Sequence, residues 1–63
     1  MNVGKTIKKF REAAGMTQKQ LGALVCIDQS MIAKIERGTK AVTVPLLIDI
    51  ADALNRNIIE MFQ

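Results

Sequence analysis

Apolar residues recur at helical spacing along the whole chain. Val3, Ile7, Phe10 and Ala14 fall at i, i+4, i+7 and i+11, which predicts a first helix over about 3–14, ended by Gly15 in a left-handed C-terminal position. Leu21, Leu24 and Val25 give one apolar face to a second helix over about 18–25; Thr17 is its cap and Gln20 completes a capping box. After Cys26-Ile27, Asp28 caps a third helix over about 29–37, with Ile32 and Ile35 inward and Gly38 at its end. Thr43 caps a fourth over about 44–54. Pro45 sits in its first turn, where a missing amide proton does no harm, and Leu47, Ile50, Ala51 and Leu54 form the inward set. Asn57 and Glu60 make a further capping box before a last short helix over about 58–62, through Ile58, Met61 and Phe62. Phe10 and Phe62 both fall at inward positions in this scheme. No stretch alternates cleanly enough for a strand, so the expected fold class is all-α, a single five-helix domain over residues 1–63.

Composition narrows the function. Sixty-three residues hold one small core, near the lower limit for folding without a disulfide or metal. One cysteine excludes an internal disulfide, and a chain without histidine lacks a zinc ligand set. No cofactor is expected. The richest apolar stretch, 44–54, is broken by Pro45, Asp49 and Asp52, and the start Met-Asn-Val-Gly-Lys alternates charge with apolar residues. Neither a membrane span nor a signal peptide is therefore expected, and the expected setting is cytoplasmic. The lone thiol has no base beside it and the carboxylates are scattered singly, so an enzyme is not expected.

Charge is unevenly placed. Lys5, Lys8, Lys9, Arg11, Lys19, Lys34, Arg37 and Lys40 outnumber Glu12, Asp28 and Glu36 in residues 1–40, whereas Arg56 faces Asp49, Asp52 and Glu60 in the remainder. One end of the molecule suits a polyanion and the other does not. The second and third helices are joined by a turn too tight to let them lie antiparallel. Between the inward residues of the third lie Gln29, Ser30, Met31, Ala33 and Lys34, an outward face that is polar, mostly slender and basic at its far end. Such a face suits base-pair edges in a DNA major groove. With no Trp or Tyr, stacking of unpaired bases is hard to arrange, so duplex DNA is the better polyanion. Helices four and five carry more apolar residues than one core needs. Leu46, Ile48, Ile58 and Ile59 are the expected dimer surface, or the patch on which another protein docks.

The ordered motifs I-x-x-F-R, G-M-T-Q-x-Q-L, I-D-Q-S-x-I-x-K-I-E-R-G, I-A-D-A-L and I-I-E-M-F resemble the Cro and phage-repressor (XRE-like) type of helix-turn-helix family, over nearly the whole chain. The resemblance implies that the third helix enters the major groove while the second lies across the phosphate backbone. Gln18 matches a position that binds phosphate and buttresses the first glutamine of the recognition helix; Lys19, Thr39 and Lys40 fall with it on the phosphate-facing side. Gln29 matches the usual base-reading position, suited to adenine, and Ser30 and Lys34 the next two; Met31 and Ala33 would touch thymine methyls or the sugar wall. Glu36, an acid at a helix C-terminus, is unfavourable unless paired. The family places its partner at Arg11, so an Arg11–Glu36 salt bridge is expected. Two positions depart from the family pattern. Gly22 replaces the usual alanine. Cys26 replaces the usual turn glycine, which costs about 1–2 kcal/mol if that backbone is left-handed, and is expected as a small, partly buried thiol. The implied function is a sequence-specific transcriptional regulator, a repressor bound as a homodimer to a palindromic operator in a prokaryotic or phage setting. The alternative is a protein-interaction module of the same fold, an antitoxin or a transcriptional adaptor.

Overall fold

Local side-chain chemistry sets each helix start in the computed structural model, which describes residues 3–62; residues 1, 2 and 63 of the expected domain lie outside it. Helix α1 spans Val3–Ala13, α2 Gln18–Leu24, α3 Gln29–Arg37 and α4 Val44–Ala53, followed by a 3-10 segment, Ile58–Phe62. Ahead of α2, Thr17 Oγ1 accepts from the Gln20 amide at 3.0 Å while Gln20 Oε1 accepts from the Thr17 amide at 2.8 Å. Asp28 Oδ1 accepts from the Met31 amide at 2.9 Å, and Thr43 Oγ1 from the Leu46 amide at 3.3 Å. Each bond satisfies an amide that the first helical turn would otherwise leave without a partner. Gly15 and Gly38 take the left-handed conformation after α1 and α3 (φ 72° and 82°).

Ile7, Leu21, Ile32, Ile35, Leu47, Ile50, Ala51, Leu54 and Met61 are buried together as one core between the helices. α3 is the hub, packed against α1 on one side and α2 on the other. The molecule measures 24 × 23 × 20 Å, so every helix has one face in this core and one in solvent. Gly4 lies where α1 crosses the end of α3, and a Cβ there would collide with the Ile35 carbonyl.

Among the described residues the architecture is all-helical as expected, but with four α-helices, not five. Between Asn57 and Phe62 the chain closes with a three-residue step, Glu60 amide to Asn57 carbonyl at 2.9 Å. Asn57 Oδ1 also accepts from the Ile59 amide at 3.0 Å, while Glu60 Oε2 accepts from the Asn57 amide at 2.9 Å. A 3-10 period of about three residues per turn aligns Ile58 with Met61 and Ile59 with Phe62. Met61 is fully buried and Ile58 half-buried, whereas Ile59 and Phe62 are 63% and 44% exposed. Phe62 is therefore not inward. Phe10 is half-buried, its ring roofed by the Arg56 guanidinium 4.5 Å from the centroid. Leu24, expected on the apolar face of α2, is 59% exposed, because α2 has only seven residues and Leu21 with Gly22 supplies its buried side. Ala14 is also exposed, one residue past the end of α1.

Candidate nucleic-acid interface

The turn from α2 to α3 decides how α3 is presented. Cys26 is left-handed, at φ 62°. The Ile27 amide then reaches back to the Gly22 carbonyl at 3.0 Å. A Cβ on Gly22 would stand 2.5 Å from the Ile27 carbonyl oxygen, so glycine at this position lets the returning backbone approach α2 directly. The thiol is exposed, contrary to the expected partial burial: a left-handed residue at the tip of a tight turn projects its side chain away from both helices.

At about 100° per residue, positions 29, 30, 33, 34 and 37 of α3 share one side and 32, 35 and 36 the other. Ile32, Ile35 and Glu36 are buried, whereas Gln29, Ser30, Lys34 and Arg37 are exposed. Ala33 is half-buried at the edge of that face. Met31 is half-buried and packed against the core, so it stands on the flank of α3 and not among the outward residues. Arg37 is not among the outward residues expected from the sequence, which end at Lys34. The outward register carries one turn further, and Arg37 lies in its middle.

Three helices meet at Glu36. Its carboxylate receives Arg11 Nε at 2.7 Å on Oε2 and Arg11 Nη2 at 3.1 Å on Oε1. Gln18 Nε2 donates to Oε1 as well, at 3.1 Å, and Arg11 Nη1 donates to the Met16 carbonyl at 2.8 Å. Arg11 and Glu36 are 7% and 6% exposed. The short bond to Glu36 is the main reason that the Arg11 pKa is raised above its ordinary value, with the attraction of the same carboxylate adding to it and burial opposing. The network fastens α3 to α1 and to the start of α2 at the end opposite its cap. Gln18, expected to buttress Gln29, is bonded to Glu36 instead.

The remaining candidate residues surround this frame. Thr39 donates its amide to the Lys34 carbonyl at 3.0 Å and its hydroxyl to the same oxygen at 3.2 Å, closing the C-terminus of α3. Lys19, Lys34, Arg37 and Lys40 are exposed and form no ion pair with a described residue. Lys19 stands in the first turn of α2, Lys34 and Arg37 on the exposed side of α3, and Lys40 in the segment that follows it. Of the expected dimer residues, Ile48 and Ile59 are exposed at 43% and 63%, whereas Leu46 and Ile58 are half-buried against the molecule's own core. Val44 and Phe62 are exposed as well. Among the described residues no group of three or more His, Cys, Asp or Glu side chains converges, and no helix is long and apolar enough to cross a membrane.

Comparison with known proteins agrees with this geometry. The sequence model of a helix-turn-helix family matches residues 7–61. An uncharacterized HTH-type transcriptional regulator of Rickettsia conorii is 33% identical over 97% of this chain, and the chain spans about half (49%) of that relative. The uncharacterized HTH-type transcriptional regulator YazB of Bacillus subtilis is 35% identical over 82% of this chain and 75% of its own length. Among solved structures, the restriction-modification controller protein C.AhdI of Aeromonas hydrophila superposes with a TM-score of 0.91 at 30% identity, covering 95% of this chain and 87% of that one.

Proposed function

This chain belongs to the helix-turn-helix family of the Cro and phage-repressor (XRE) type, and from that premise we propose that it is a sequence-specific, double-stranded DNA-binding transcriptional regulator. It acts as a repressor, dimeric on a palindromic operator, in the cytoplasm of a prokaryotic or phage-bearing host. The observation that carries the reading is the division of α3: a buried side locked at Ile32, Ile35 and Glu36, and a polar, exposed side running from Gln29 to Arg37. A helix held from behind and open in front can enter a major groove without rearranging. Gln29 reads a base as a bidentate amide, with Ser30, Ala33, Lys34 and Arg37 along the same groove; Met31 reaches only the groove wall. Gln18, Lys19, Thr39 and Lys40 meet phosphates on either side. No cofactor and no catalytic step are involved.

A module this small makes a modest interface with one half-site, so two copies spaced about one helical turn apart are needed for tight specific binding. Val44, Ile48, Ile59 and Phe62 supply the surface at which the copies meet. The same exposed apolar residues favour a second reading, in which a different protein covers them and the chain serves as an antitoxin or adaptor. In vitro selection of bound DNA at two salt concentrations separates the two. The regulator yields a palindromic consensus. Gln29→Ala then costs about 1–3 kcal/mol at one base pair per half-site, while Lys40→Ala weakens all sequences alike and lowers the salt slope by about one counterion. Recovery of no consensus overturns sequence reading, and a consensus unchanged by Gln29→Ala overturns the residue assignment.

A further inference from the structure

The tip of α3 carries a hydrogen bond that decides what its second residue can recognise. Ser30 Oγ donates to Asp28 Oδ1 at 2.9 Å, and the same oxygen accepts from the Met31 amide at 2.9 Å. A serine hydroxyl has one proton and two lone pairs. With the proton committed to the cap, only the lone pairs are left for a ligand. We propose that Asp28 makes Ser30 an acceptor-only reader, so that the base it faces presents an amino group, adenine or cytosine, and not a keto group, guanine or thymine. The inference rests on the DNA-reading role argued above and names the chemistry of one position in that site.

In the major groove, adenine N6 and cytosine N4 donate at the positions where thymine O4 and guanine O6 accept. An acceptor-only hydroxyl gains a bond from the first pair and meets lone-pair repulsion from the second. The Asp28 carboxylate strengthens the choice. Asp28 is an exposed residue whose second oxygen, Oδ2, has no hydrogen-bond partner among the described residues, and its charge repels the keto oxygens as well. The bonds from the Met31 amide and then from the Ser30 hydroxyl hold the Asp28 carboxyl below its ordinary pKa, so the acceptor remains charged throughout the neutral range. A free serine, whose hydroxyl rotates to suit its neighbour, would accept all four bases; here the cap removes that rotation.

The test is selection from randomised duplex DNA with the wild-type chain and with Ser30→Ala and Asp28→Ser. Serine is a good helix cap, so Asp28→Ser keeps α3 started while removing the carboxylate that holds the Ser30 proton; circular dichroism verifies that both variants fold. The expected wild-type consensus has one position per half-site restricted to adenine or cytosine by about five- to tenfold, the size of one well-placed hydrogen bond. Ser30→Ala flattens that position alone, and Asp28→Ser admits guanine and thymine there. A wild-type consensus in which the position flattened by Ser30→Ala is guanine or thymine overturns the inference, and so does a consensus that neither variant changes. In both cases DNA reading by α3 itself stands. Enrichment of no sequence at all by the wild-type chain overturns that reading and the inference with it.

Discussion

Replacing Arg11 with methionine keeps the length and much of the packing of its side chain and removes the three N–H donors now directed at Glu36 and Met16. Glu36 is then left 6% exposed with Gln18 as its single remaining side-chain donor. Breaking a buried ion pair from one side costs about 3–5 kcal/mol, because the surviving charge stays desolvated. Natural domains are stable by roughly 0.05–0.15 kcal/mol per residue, which for a chain of this length is about 3–9 kcal/mol in all. Arg11→Met therefore brings the domain close to its unfolding threshold at room temperature. At about 4–8 °C per kcal/mol for a domain of this size, the melting temperature falls by some tens of degrees. The double variant Arg11→Met/Glu36→Leu removes both charges and is expected to recover most of the loss, since apolar replacement of a buried pair is often neutral. Urea unfolding followed by circular dichroism, run on the two single variants and the double, gives the coupling energy directly. Single losses below about 1 kcal/mol that simply add in the double variant, as exposed pairs behave, would refute the claim that this pair locks α3 in place.

Other features predict measurable effects of their own. Cys26→Gly removes a Cβ from a left-handed residue whose side chain is exposed, so it raises stability by up to about 1 kcal/mol; a loss on urea titration would mean that the thiol has packing to lose. Gly4→Ala forces α1 away from the Ile35 carbonyl and is expected to cost about 1–3 kcal/mol as overpacking does, despite the better helix propensity of alanine. Thermal melting at or above the wild-type temperature contradicts it. The folded-state pKa of Asp28 is depressed, first by the Met31 amide and second by the Ser30 hydroxyl. Its contribution is thus present above the ordinary carboxyl pKa and is lost as pH falls through the lower folded value. Asp28→Ser should show a shallower acid decline in melting temperature than wild type, and identical slopes would contradict the assigned bonds.

Residues that act within a few positions of one another were readable from the chain. The Thr17–Gln20 box, the Asp28 and Thr43 caps and the glycine stops at 15 and 38 depend on hydrogen bonds over three or four residues, and each is present. The fourfold apolar spacing of α1, α3 and α4 was equally legible. What failed was the end of the chain, where helical spacing was carried into a 3-10 segment, and its shorter period turned Phe62 outward. Leu24 was misplaced because two close-packed residues already fill the inward side of so short a helix. Nor does the sequence state that the Gln18 amide prefers Glu36 to Gln29, for that depends on where α1 delivers Arg11. Arg37 was within reach of the same helical arithmetic that selected Lys34. The register simply had to be followed for one more turn.

The separation of faces along α3 bears on how such a domain diversifies. Ile32, Ile35 and Glu36 fix where the helix sits, while Gln29, Ser30, Lys34 and Arg37 are exposed and Ala33 is half-buried at their edge. Under the proposed DNA-reading role, duplicated copies can therefore exchange the second set for a new operator address while inheriting the first set intact. The exception is Ser30, whose proton is shared with the residue that starts the helix. At that one place a change of address also touches the scaffold, so divergence there should proceed by paired replacement of residues 28 and 30.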